Sequence, residues 1–192
     1  MKIIFRVDAS FEIGNGHVMR CLTLAKVLIS ADFSVKFICR NKPGNLIALI
    51  REMGFPVKII SEKSVKSSLI RKFKDEYENW LGVSELEDAK ETIKFISNDG
   101  LIDLLIVDHY SLSTKWETEL KKNVKNIMVI DDLANRKHSC KILLDQNWFE
   151  NPDSRYDKLL LDDSKKLLGP KYALLDDQFF KSKNYFKKKS GE

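Results

Sequence analysis

Phe5-Arg6-Val7-Asp8-Ala9-Ser10-Phe11-Glu12-Ile13-Gly14-Asn15-Gly16-His17-Val18-Met19-Arg20 is the stretch that decides the fold class. Its apolar opening, Ile3 to Val7, reads as a short buried strand, and from Val18 the apolar residues Val18, Cys21, Leu22, Ala25 and Leu28 recur at helical spacing. The segment between them is therefore a strand-to-helix turn. Two glycines around Asn15 free the backbone and leave the first helical amides uncovered by side chains, which makes an anion or oxyanion site. His17 stands at the mouth of that site, where the positive end of a helix favours a neutral imidazole able to accept a proton. The same turn also suits a protein that only needs a tight corner there. A dinucleotide fingerprint is not met: its third glycine falls at Met19, and the second strand ends in Cys39-Arg40 instead of a ribose-binding carboxylate.

Working outward, Val35 to Cys39 reads as a second strand. The turn Asn41-Lys42-Pro43-Gly44 leads to a short helix carrying Leu46, Ile47, Leu49, Ile50 and Met53, Gly54 stops it, and Val57 to Ile60 form a third strand. This βαβαβ opening predicts a doubly wound, mainly parallel α/β sheet of Rossmann-like type. Residues 61–100 hold no strand-like run. Val65 to Leu81 reads as a helix with Leu69, Phe73, Tyr77 and Trp80 on one face, and Ser84-Glu85-Leu86-Glu87 as a capping box for the next helix. Strands then resume at Leu104 to Val107, Ile127 to Ile130 and Ile142 to Leu144, with Thr114-Lys115-Trp116-Glu117 capping a helix among them. Neither a repeat nor a long linker divides the chain.

In open α/β sheets ligands bind outside the carboxyl ends of the strands. Four strands end in chemically able residues: Arg6 and Asp8, Asp108 to Tyr110, Asp131 and Asp132, and Asp145 to Asn147. A parallel sheet brings these ends to one rim, although Asp and Asn also gather at strand ends simply because they make turns and caps.

The 192 residues suffice for one α/β domain with a full core, and 43 % hydrophobic with 32 % charged residues is ordinary for a globular protein. No apolar run approaches the ~20 residues of a membrane span and no secretory leader opens the chain, so a cytoplasmic location is expected. Cys21, Cys39 and Cys140 are scattered, and His17, His109 and His138 lack metal-ligand spacing; neither a disulfide framework nor a metal site is indicated. The net charge of +5 rests on a tail: Lys181 to Glu192 hold five lysines and one glutamate, +4, which leaves +1 for the remainder. Such a tail reads as solvated and disordered, not as a nucleic-acid surface.

Taken together, Phe5 to Ser10, Ile13 to Leu22, Ile106-Val107-Asp108-His109-Tyr110, Asp131-Asp132, Ile142 to Asp145 and Leu168-Gly169-Pro170-Lys171-Tyr172-Ala173-Leu174-Leu175 resemble, in order, the N-terminal half of the PseG family. These are UDP-2,4-diacetamido-2,4,6-trideoxy-β-L-altropyranose hydrolases of pseudaminic acid biosynthesis. The resemblance implies a glycosyltransferase-B type domain over residues 1–180 and a cofactor-independent attack of water on the anomeric carbon that releases UDP. It implies His17 as the base and Tyr110 as the residue that positions the water. Gly14, Asn15 and Gly16 would offer amides, and Arg6, Asp8, Arg20, Asp132 and Asn147 sugar contacts or rim structure; Arg20 and Asp8 could equally pair with each other. The family's second, UDP-binding domain has no counterpart after Phe180, so a separate chain supplying it, a split glycosyltransferase and a non-catalytic fragment stay open beside the hydrolase. The non-catalytic reading expects an uncovered apolar face near Trp148 and Phe149.

Overall fold

The structure, a computed structural model, describes residues 1–61 and 77–176. In chain order its elements are β1 (Lys2–Val7), α1 (Gly16–Ser30), β2 (Ser34–Arg40), α2 (Ile47–Glu52), β3 (Val57–Ile60), α3 (Glu78–Leu81), α4 (Glu85–Ile96), β4 (Leu104–Asp108), α5 (Thr114–Leu120), β5 (Ile127–Ile130), β6 (Ile142–Asp145) and β7 (Lys165–Leu168). The strands form one sheet in the order β3-β2-β1-β4-β5-β6-β7, and every neighbouring pair is parallel. The predicted Rossmann-like, doubly wound α/β class is what forms.

Strand order reverses between β1 and β4, so the loops after these two strands diverge and open a crevice at their carboxyl ends. Register across the switch is fixed from Ile3 opposite Leu104 to Val7 opposite Asp108. Side chains alternate about the sheet. Ile3, Phe5, Val7 and Ile106 pack with Val18, Cys21, Leu22 and Ala25 of α1, while Ile4, Leu105 and Val107 pack with Ala89 and Ile96 of α4 and Trp116 and Leu120 of α5. Both faces are covered, which is why the strands read as continuous apolar runs.

Local details depart from the sequence reading at three points. The cap of α5 is Ser113, whose hydroxyl accepts from the Lys115 amide, and not Thr114. Ser113 is set there by Glu85, whose carboxylate accepts from its amide and its hydroxyl. β7 was not foreseen as a strand, because Lys165 and Lys166 hide the short apolar pair Leu167-Leu168 at the sheet edge. Of the helix expected over Val65 to Leu81, most lies outside the described residues; within them it is the single turn α3. The expected tail, residues 181–192, likewise lies outside them. No helix among the described residues is long and apolar enough to cross a membrane.

Candidate active site at the switch point

Strand parity sorts the polar rim into two layers. Asp108 follows Ile106 by two residues and so faces α1, whereas His109 falls on the α4 and α5 side. Asp132 joins the α1 side in the same way, and Asp131 turns to the other.

On the α1 side a compact cluster forms. His17, on the first turn of α1, sets Nδ1 2.6 Å from Asp108 Oδ1. Arg20, one turn further on the same helix face, gives Nε to Asp108 Oδ2 and Nη2 to Oδ1, both at 2.6 Å, and Nη1 to Asp132 Oδ2 at 2.8 Å. Arg20 Nη2 also lies 3.3 Å from His17 Nδ1. The shorter contact to a carboxylate, which can only accept, assigns the Nδ1 proton to His17 as donor toward Asp108. Nε2 is then the basic nitrogen of the ring, and among the described residues it has no hydrogen-bond partner.

Asp108 is fully buried, which alone would raise its pKa. The Arg20 hydrogen bonds and the adjacent His17 outweigh burial and bring it down to about 2, so it is an anion throughout the neutral range. Arg20 holds its charge for the reciprocal reason: burial opposes it, and Asp108 and Asp132 raise its pKa further.

Tyr110 completes the cluster. Its ring centroid lies 4.5 Å from that of His17 in an edge arrangement, and its hydroxyl donates to Asp132 Oδ1. Partial burial, followed by the negative charge of Asp132, pushes the phenol above its ordinary value, so it stays protonated. With its proton engaged, the Tyr110 oxygen can only accept from a third group. Trp80 stacks on Tyr110 at 5.5 Å and stands edge-on to His17 at 6.2 Å, with Tyr77 edge-on to both Trp80 and Tyr110. These rings make an apolar wall along one side of the cluster. It was not foreseen, because the sequence placed Tyr77 and Trp80 on the face of a core helix.

The glycine turn closes the other side. Gly14 adopts φ 77°, a conformation that disfavours side-chain-bearing residues, and its amide donates to Ser10 O at 2.8 Å. Gly16 is the first residue of α1, and Asn15 at the N-cap makes no side-chain bond to the first turn, which contains no acidic residue. Asn15 and Gly16 are exposed, and no atom lies within 4 Å of where a Gly16 Cβ would stand. The positive end of a helix of 15 residues is thus bare beside His17.

No family model matches the chain. Over 182 residues, 94% of its length, it is 32% identical to the UDP-2,4-diacetamido-2,4,6-trideoxy-beta-L-altropyranose hydrolase of Campylobacter jejuni. This chain is a homologue of that hydrolase. It spans 54% of the hydrolase's length. An uncharacterized protein of Methanocaldococcus jannaschii is 26% identical over 187 residues, 95% of the chain and 32% of that protein. The crystal structure of MurG from Acinetobacter baumannii matches 87% of the chain and 44% of MurG with a TM-score of 0.53 at 12% identity. That likeness concerns the fold alone, and it places the sheet in the glycosyltransferase-B type of Rossmann-like domain.

The site residues expected from the sequence divide in space. His17, Arg20, Tyr110 and Asp132 meet in one cluster with the turn of Gly14, Asn15 and Gly16 beside it. Arg6 and Asp8 lie beneath, on the other face of the sheet, each with 0 % exposure. Arg6 bonds Asp8 at 2.5 and 3.0 Å and Asp88 of α4 at 2.6 and 3.1 Å, while Asp88 also takes Trp116 Nε1 at 2.9 Å and Arg40 Nη2 at 2.7 Å. Asp8 further accepts from the Arg40 amide and faces His109 Nε2 at 3.2 Å. Arg20 therefore does not pair with Asp8. The two belong to opposite faces. Burial, opposed by Asp8, holds His109 below the usual histidine range, and its Nδ1 accepts from the Ser111 amide. Asn147 is exposed beyond β6; its amide donates to Asp145, and no described bond links it to the cluster. Of the apolar pair beside it, Trp148 is 72 % exposed, whereas Phe149 lies under the Arg155 guanidinium at 3.5 Å. Asp108 was named in the sequence as a strand end but not as a site residue. Its parity with Ile106 was the signal that would have singled it out. Among the described residues no group of three or more His, Cys, Asp or Glu could hold a metal.

Proposed function

We propose that the protein hydrolyses a UDP-sugar, with water attacking the anomeric carbon and UDP departing. The observation that carries this reading is the orientation of His17: Nδ1 is held by Asp108, Nε2 has no partner among the described residues, and the Tyr110 oxygen is close by with only acceptor capacity left. A water between them would donate one hydrogen to His17 Nε2 and the other to the Tyr110 oxygen. Its lone pair would then point away from both, toward a sugar in the crevice. As the water attacks, His17 takes its proton through Nε2, and the resulting imidazolium is stabilised by the Asp108 carboxylate, which itself stays ionised. The C1–O bond breaks with its electron pair going to the UDP phosphate oxygen, a weakly basic leaving group that needs no general acid. Uncapped amides at the start of α1 stabilise negative charge on nearby substrate oxygens.

The altropyranose substrate of the Campylobacter jejuni homologue is the sugar proposed here. We also propose that a further domain, in the same or another chain, completes the nucleotide side of the cleft, since the matched region is about half of the homologue. The test is UDP release from that UDP-sugar by the wild type and by His17→Asn. Loss of at least a hundredfold in rate supports the assignment, and equal rates reject it. Faster transfer to an added sugar acceptor than to water would favour a glycosyltransferase instead.

A further inference from the structure

His17 and Tyr110, the two groups proposed to hold the attacking water, come from different elements, and their rings meet edge-on with centroids 4.5 Å apart. A ring contact of this kind does not fix the direction of a hydroxyl or of a ring nitrogen. A run of hydrogen bonds that starts at one group and ends at the other does. Asp108 Oδ1 holds His17 Nδ1 at 2.6 Å, and Arg20 grips both oxygens of Asp108, Nη2 on Oδ1 and Nε on Oδ2, each at 2.6 Å. Its Nη1 reaches Asp132 Oδ2 at 2.8 Å, and Asp132 Oδ1 accepts from the Tyr110 hydroxyl. Arg20 is the middle member of this run.

The two-pronged grip fixes the plane of the Asp108 carboxylate, and with it the direction in which His17 is held. The remaining arm turns Asp132 so that its other oxygen meets Tyr110. His17 and Arg20 lie three residues apart on one face of α1, whereas Asp108 closes β4 and Asp132 follows β5. The guanidinium therefore also ties α1 to two strands at the level where the water would sit. Its three nitrogens are all engaged with these carboxylates and its side chain keeps 11 % exposure, which leaves it little to offer a sugar.

We infer that Arg20 is the positioning residue of this site, a single guanidinium that sets the His17 base and the Tyr110 oxygen in register around the water without itself touching the substrate. The inference deepens the hydrolase reading and rests on it for what the two groups do. The register itself can be observed without turnover.

The test compares steady-state UDP release by wild type, Arg20→Gln, Arg20→Lys, Asp132→Asn and Tyr110→Phe. Beside it, the His17 Nδ1 proton is followed by NMR of the folded proteins and assigned by its absence from His17→Asn. Arg20→Gln should lower kcat about 10- to 100-fold with KM within about threefold, because misplacing a reacting group by about 1 Å costs on the order of 10²-fold. Arg20→Lys should recover less than about threefold of that loss, since an ammonium keeps the charge but not the fork. In the Tyr110→Phe background the Arg20→Gln penalty should shrink, one of the two groups it sets being gone. The His17 proton should be protected in wild type and lost to exchange with water in Arg20→Gln. If the Arg20 variants fail to fold, Asp132→Asn, which cuts only the arm to Tyr110, should show the loss in kcat at unchanged KM and the same shrinkage. A raised KM at unchanged kcat makes Arg20 a sugar contact and overturns the inference, as do full rescue by lysine, equal penalties in both backgrounds, or wild-type kcat in Asp132→Asn. UDP released equally fast by wild type and Arg20→Gln removes the positioning role and leaves the hydrolase. A His17 proton that depends on Arg20 in a protein that releases no UDP upholds the register and removes the hydrolase.

Discussion

Replacing Asp108 by Asn separates the two tasks of this carboxylate, because the amide keeps its shape while losing its charge. In the fold, Asp108 is drawn from its ordinary 3.8 to about 2, which corresponds to roughly 2 kcal/mol of linkage at neutral pH. The folded pKa is the lower one, so this contribution is complete above about pH 4 and is lost as pH falls toward 2. Removing one member of a buried ion pair typically costs ~3–5 kcal/mol; Arg20 keeps Asp132, so the lower end applies. The two routes bracket roughly 2–3 kcal/mol, or a melting temperature lower by about 4–12 °C for a chain of this size. Chemistry should suffer more. An Asn oxygen can still accept from His17 Nδ1, but it cannot stabilise the imidazolium that forms when water loses its proton. UDP release should drop by about 10²–10⁴-fold, chiefly in kcat. Circular dichroism melts and initial rates on the same preparation check the two figures. A folded Asp108→Asn protein with kcat within threefold of wild type would refute the assigned pairing of His17.

Tyr110→Phe removes the acceptor oxygen but keeps the ring against Trp80; UDP release should fall about 10- to 100-fold while stability changes by no more than ~1 kcal/mol, read from rates and urea melts. The buried His138 gives a pH dependence of opposite sign to that of Asp108. Burial opposes its charge, but Asp131 and Glu117, the latter 2.6 Å away, raise its pKa on balance. Its contribution should therefore be full below about pH 6.5 and fade as pH rises through the raised value; melting temperatures from pH 6 to 9 should fall, and Glu117→Gln should flatten that fall. Gly14 and Gly16 should respond differently to Ala: Gly14→Ala should cost roughly 1–2 kcal/mol for its φ of 77°, while Gly16→Ala should leave stability unchanged or slightly raised and weaken substrate binding by covering the helix start. Urea melts and KM values distinguish the two.

How far the sequence could be read follows from the range of each interaction. The strand, turn and helix around Gly14 and Gly16 are local, so β1, α1 and the doubly wound order were legible from apolar spacing and glycine chemistry. The convergence of His17, Arg20, Tyr110 and Asp132 needed only one further premise, that the sheet is parallel. The dipeptides Asp108-His109 and Asp131-Asp132 required parity: counting by twos from Ile106 and Ile130 sends Asp108 and Asp132 to α1 and His109 and Asp131 away from it. Arg6 and Asp8 show where counting alone fails. Parity puts them on the α4 side, but their burial depends on Asp88, 82 positions from Arg6, whose carboxylate gathers Arg6, Arg40 and Trp116. Nothing near Asp8 in the chain distinguishes a carboxylate consumed by that network from one left for a sugar. The network has a mechanical consequence for the site. It joins β1, β2, α4 and α5 directly beneath the rim, so the strand end that launches the glycine turn is held by charged bonds at 0 % exposure, and the start of α1 is presented from a rigid base. Asp88→Ala should then loosen the turn from below, lowering UDP release together with stability, whereas Asp132→Asn should lower the rate with much less loss of stability. If Asp88→Ala unfolds no more readily than Asp132→Asn, the buried charges are not what holds the rim.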